Sequence, residues 1–328
     1  MAHHWLEGFG AVLGALGRKG TAAITGVVVI AIAVPPLGAF LKPFVGVAIF
    51  ALLTTAFARA EPAVMRHYVT RPGLLAVASA WTTFVVPGLF GATAAMAGVD
   101  EHSPDLFLAL MLQGVAPPMM ATPTIAALMG LDATLVLLAM TFSTALTPFA
   151  SPAIASAFIG SALPLSPLIL GLRLSGLLLG AMVAAVAVRR VIGLDRIRRW
   201  KSEIDGLNVV FFFVFVAAAM QGVAGHAVAA PSAMIKLVLL AFAVFTIVMV
   251  LTVVAFAWTG FDRAAAIALM TSQRNLGLML AATGSLPDVV WLYAGLCQLP
   301  IYLSPQLLAP VIRRVRSRPG RAGDGPIG

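Results

Sequence analysis

Charge is scarce in this chain. Only 10% of its 328 residues are Asp, Glu, Lys or Arg, against roughly 25% in an ordinary soluble domain, and the mean hydropathy is +1.02. So few charges cannot cover the surface of a water-soluble fold of this size, which leaves a membrane protein. Acid is scarcer than base, with 12 Asp and Glu against 21 Lys and Arg. No acid or histidine falls inside an apolar run, so an intramembrane enzyme with a nucleophile and base, or with paired carboxylates, is excluded. Cysteine is nearly absent: Cys297 alone cannot form a disulfide or a thiolate metal site within one chain. The five histidines, His3, His4, His67, His102 and His226, share no metal-ligand spacing, so no zinc site follows. Sustained period-two alternation is also missing, which excludes a β-barrel.

What the chain does have is apolar runs of about 17 to 25 residues, the length a helix needs to cross a bilayer. Ten are predicted: 20–35, 43–58, 73–97, 105–129, 132–160, 165–188, 206–224, 235–257, 262–283 and 288–311. Residues 1–19 read as a cytoplasmic amphipathic lead that stays on the chain, because Arg18 and Lys19 follow the apolar segment instead of preceding it. Residues 312–328 read as a basic cytoplasmic tail. With ten spans, 17 of the 21 Lys and Arg fall on one side: Arg18 and Lys19, Arg59 to Arg71, Arg189 to Lys201, Arg263, and Arg313 onward. Asp100, Glu101, Asp105 and Asp288 fall on the other. The positive-inside rule makes the first side the cytoplasm and places both termini there. The pI of about 10.8 is then a matter of topology and of contact with anionic lipid, and calls for no nucleic acid.

Ten spans divide into two fives, repeat 1 over 20–160 and repeat 2 over 161–311. Spans 4 and 9 begin at Asp105 and Asp262, and spans 5 and 10 at Asp132 and Asp288, each where an N-cap or first turn belongs. Spans 5 and 10 also share closely spaced prolines, in TPFASP (147–152) and LPIYLSP (299–305). Five is odd, so the second half enters the membrane from the opposite side. Inverted repeats of this kind recur in secondary transporters, whose sites lie at broken helices near the bilayer midplane. Each half has such a break. Span 4 reads LMLQGVAPPMMATPTIAALMG, where Pro117, Pro118 and Pro123 each remove a backbone donor. Span 9 has no proline there but a polar run, Thr271, Ser272, Gln273, Arg274 and Asn275, followed by Gly277. Unwound backbone inside a membrane needs such groups.

At these residues the chain resembles the bile acid:sodium symporter family and its bacterial relatives. APPMMATPTIAALMG is similar to the family's proline-containing crossing segment, QRNLGLMLA to its second crossing segment, and TFSTALTPFASPAI (141–154) to its fifth helix. The resemblance implies an all-α fold of ten transmembrane helices in two inverted five-helix repeats, with discontinuous helices 4 and 9 crossing. It implies a panel domain of spans 1, 2, 6 and 7 and a core domain of spans 3, 4, 5, 8, 9 and 10, with an organic anion bound between them. It also implies multi-pass insertion in a bacterial inner membrane. In sodium-coupled members a glutamate, a glutamine and a Ser-Asn pair hold the ions; Met270, Arg274, Thr122 and Pro123 stand at those positions here, while Asn275 and Gly277 are kept. A guanidinium within about 5 Å costs a bound sodium ion on the order of 3 kcal/mol at an effective dielectric of 20. The expectation is therefore a carrier of a small carboxylate, keto acid or sterol-type anion without the family's usual sodium sites and without another cofactor.

Two alternatives stand beside it: a sodium-coupled symporter using the neutral oxygens of Thr122, Ser143, Thr144 and Gln298, and a non-transporting sensor or scaffold. The expected substrate-binding residues are Arg274, Asn275, Gln273, Thr122 and Ser272. An arginine at a helix centre costs about 2.5 to 3.5 kcal/mol on insertion scales, so Arg274 must face inward and find acceptors. Those acceptors are either the carbonyls freed by the broken helices or the anionic group of a substrate. Arg173, inside span 6, reads as a snorkelling or helix-paired arginine, and Gln113 and Gln298 as interhelical bonds. Trp200, Trp258 and Trp291 read as interface anchors and Trp81 as core packing.

Overall fold

The computed structural model describes residues 2–19, 21–59, 72–160 and 165–316. The side chains of His3 and His4, together with His67, Arg66, Arg71 and the basic tail after Arg316, lie outside them. Every element among the described residues is helical: α1 (Ala2–Lys19), α2 (Thr21–Ala33), α3 (Pro36–Arg59), α4 (Pro72–Met96), α5 (Pro104–Val115), α6 (Thr122–Leu128) and α7 (Ala133–Ile159) come first. After them come α8 (Pro167–Ile192), α9 (Lys201–Ala219), α10 (Pro231–Ala255), α11 (Phe261–Ser272), α12 (Leu276–Thr283) and α13 (Asp288–Arg316). Seven of these, α3, α4, α7, α8, α9, α10 and α13, are long and apolar enough to cross a membrane. The chain is a multi-pass membrane protein. Its outer surface is apolar, with Phe40, Phe149 and Val254 exposed, as expected where lipid replaces water.

Sequence signals account for many of the helix ends. Pro72, Pro104, Pro167 and Pro231 open helices, where a missing N–H costs nothing. Asp132 caps α7, its carboxylate accepting from the Leu135 N–H (3.0 Å), and Asp105, Asp262 and Asp288 stand in first turns. Prolines inside helices need not end them. Pro148 and Pro152 sit within α7, which runs on through both, and Pro305 and Pro310 sit within the unbroken 298–316 part of α13, whose interruption falls earlier, at Cys297.

Packing draws the helices into two groups, joined where α8 lies against α7 and α12. Helices α1, α2 and α3 all lie against α9, and α8 closes on α3. In the other group α7 packs on α4, α5, α6 and α11, and α10 on α11 and α13. The amphipathic lead is helix α1, docked on α9 in the most extensive helix pairing among the described residues. Glycine permits the approach: a β-carbon on Gly206 would lie 1.9 Å from the Leu13 carbonyl oxygen. Small residues at a helix contact replace the hydrophobic drive that lipid does not supply.

Of the tryptophans, Trp200 and Trp258 are exposed near helix ends. Trp291 is buried, with the Lys42 ammonium 4.9 Å from its ring centroid, so it does not serve as an interface anchor. Trp81 packs edge-on against Phe256 and donates its indole N–H to Thr252 Oγ1 (3.0 Å).

Candidate functional site

The two proposed breaks are present and they face each other. Helix α5 ends at Val115 and α6 begins at Thr122; helix α11 ends at Ser272 and α12 begins at Leu276. Between them Met119 N–H donates to Gln273 O and Asn275 N–H donates to Pro117 O, each at 2.8 Å, with Pro118 opposite Arg274 in an antiparallel bridge. Those two bonds flank the Pro118–Arg274 pair. Pro118 therefore stands where the ladder asks for no donor, and its missing N–H is harmless. Pro123 does not break a helix: it is the second residue of α6, a position where proline starts one.

Side chains complete the second break. Gln273 accepts from Thr122 Oγ1 (2.9 Å) and donates to Ser304 Oγ (2.9 Å), tying α6, α11 and α13 together. Asn275 caps α12, its Oδ1 accepting from the Leu278 N–H (3.2 Å). Arg274 is buried, and its Nη1 donates to Ala116 O (2.9 Å) and Thr82 O (3.0 Å). The first acceptor is the C-cap residue of α5, at the negative end of its dipole. The second is freed by a wide turn: Trp81–Val85 is π-helical, and in that five-residue pattern the partner of the Thr82 carbonyl is residue 87, which is Pro87.

The five residues expected to bind substrate do not converge. Gln273 and Thr122 bond to one another, and Ser272 Oγ donates to Leu269 O of its own helix (3.1 Å). Arg274 points towards α4 and the end of α5. Asn275 is half-buried, and Gly277 beside it touches the other group of helices: a β-carbon there would lie 2.6 Å from Ile49 Cδ1 and 3.4 Å from the Phe215 ring. The four neutral oxygens considered for a cation likewise share no contact. Thr122 is engaged as above, Gln298 Nε2 donates to Ala294 O (3.2 Å), and the Ser143 and Thr144 hydroxyls find no partner among the described residues. Gln113 does join helices, accepting from Tyr293 OH (2.7 Å). Arg173 lies over the end of α12, with Nη1 at 3.3 Å from Ala282 O and 3.5 Å from Thr283 O.

Sequence reasoning did not single out Thr82, Thr83, Ala116 or Ser304. The available signals were Pro87, which removes a donor one turn beyond Thr82, and Ser304 within the LSP tripeptide. No family model matches the chain, and no curated protein matches its sequence.

Proposed function

We propose that this protein is a secondary carrier of a small organic anion, working by alternating access without a sodium ion in the sites used by the family it resembles. The observation that carries the reading is the pair of opposed, buried helix breaks with a guanidinium seated on one carbonyl freed by a break and one freed by the wide turn of α4. Counting each broken pair and α2 as one crossing beside the seven long helices gives ten, five in each half, with the breaks in the fourth crossing of each. The two packing groups then correspond to panel and core, and α1 is an addition to the panel. Positive-inside orientation puts the Arg18–Lys19 end of α1, Arg189 to Lys201 and Arg313 to Arg316 in the cytoplasm of a bacterial inner membrane.

Arg274 serves as the fixed cation of the core, since it faces α4 and the end of α5 and its Nη1 is spent on two carbonyls. The transported anion meets the break from the opposite side, at Asn275 and the first turn of α12, where the helix dipole is positive. Carboxylates of graded size, offered to proteoliposomes under sodium, potassium or choline at equal ionic strength, test this. Uptake of at least one of them, changed less than tenfold by removing sodium, is the expected result. A tenfold or greater loss, about 1.4 kcal/mol of coupling, would establish a surviving sodium site, and absence of flux for every anion would leave a sensor or scaffold.

A further inference from the structure

Arg274 carries a full charge at 3% exposure, yet its Nε and Nη2 have no partner among the described residues, and no Asp or Glu is buried there. A sealed cation whose only acceptors are two carbonyl dipoles is undercompensated, because buried charges are ordinarily paired. The other orphans fall at the same level. Six buried side-chain nitrogen and oxygen atoms lack a partner among the described residues, and five of them belong to Arg274 Nε and Nη2, Thr83 Oγ1, Ser143 Oγ and Thr144 Oγ1.

Two contacts set the register that brings them to one depth. Ser79 Oγ donates to Ala139 O (3.3 Å), and a β-carbon on Gly91 would lie 2.4 Å from the Phe158 ring. Helices α4 and α7 are thus parallel, and the segment at Thr82 and Thr83 lies level with Ser143 and Thr144. Arg274 Nη1 is bound to Thr82 O at that same level. All four side chains are at least nine-tenths buried.

We infer that these groups form an anion site inside the core, taking a small monovalent anion such as a halide. Its donors are one guanidinium edge and three hydroxyls, and its charge is the inverse of a sodium site. The edge formed by Nε–H and Nη2–H presents two parallel donors, and the hydroxyls of Thr83, Ser143 and Thr144 rotate to offer their hydrogens. A cation is disfavoured by the charge already present. The site stands or falls separately from transport, because it requires no substrate.

Thermal unfolding of the purified full chain in detergent, in sodium chloride, sodium gluconate and choline chloride at equal ionic strength, tests the site. Chloride should stabilise saturably with either cation, and gluconate should not. Thr144→Val, which keeps shape and removes one donor, should raise the chloride needed for half the effect about tenfold. Ser143→Asp places a carboxylate beside the guanidinium, so this variant should melt in gluconate as the parent does in chloride, and chloride should add nothing. Identical melting of the parent in chloride and gluconate would overturn the inference. So would a response that follows sodium and ignores chloride, or a Thr144→Val variant with the parent's chloride dependence.

Discussion

The two breaks perform one task by different means. The break at 116–121 is written into covalent structure: Pro117 and Pro118 are adjacent and have no N–H, so a helix through them would lose two successive bonds that no rearrangement of neighbours can return. The break at 273–275 has no proline, so every donor needed for a continuous helix is present. It stays open because Gln273, Arg274 and Asn275 spend their side chains on Thr122, Ser304, Thr82, Ala116 and the first turn of α12. One break is obligatory and the other conditional. The conditional one is the part a transport cycle can adjust, because hydrogen bonds exchange and a pyrrolidine ring does not.

The comparison yields an ordered set of outcomes for unfolding in detergent. Arg274→Ala should cost most, about 2 to 4 kcal/mol, since it strands the Ala116 and Thr82 carbonyls in a dry interior. Arg274→Lys should recover part of that loss, keeping the charge without the planar fork. Met119→Pro should follow at about 1 to 3 kcal/mol, because it deletes a ladder donor and orphans Gln273 O. Asn275→Ala removes a helix cap and should cost about 1 kcal/mol, with Asn275→Ser nearly neutral. Pro118→Ala should be the mildest, below about 1 kcal/mol, since that position needs no donor and only the unfolded chain gains freedom. Were Pro118→Ala to cost more than Arg274→Ala, the assignment of obligatory and conditional breaks would be reversed.

These expectations also measure how far the sequence could be read. Helix existence and most boundaries were legible because apolar runs, opening prolines and Asp132 act locally. The breaks were legible too, one from its prolines and the other from an isolated polar run. Partners across the fold were not. Nothing near residue 274 signals that Thr82, 192 positions earlier, supplies its acceptor. Likewise, nothing near Gln273 signals Ser304. The five expected ligands failed to converge because adjacent residues in unwound backbone project in different directions, so closeness in sequence did not place them in one pocket. Residues 1–19 were readable as an amphipathic lead, but not as a helix that docks on α9, since that depends on Gly17 and Gly206 meeting across the fold.

The wide turn at Trp81–Val85 also sets a phase. Its pattern takes up one residue more than an α-helical turn, so everything beyond it in α4 is rotated by roughly 100° relative to an uninterrupted helix. Gly91 faces Phe158 with that offset in place. Deleting one residue between Trp81 and Val85 would restore an ordinary helix on paper, but it would swing Gly91 off the Phe158 ring and bring a neighbour with a side chain into its place. The turn that releases a carbonyl to Arg274 is therefore also the screw thread by which the outer half of α4 finds α7.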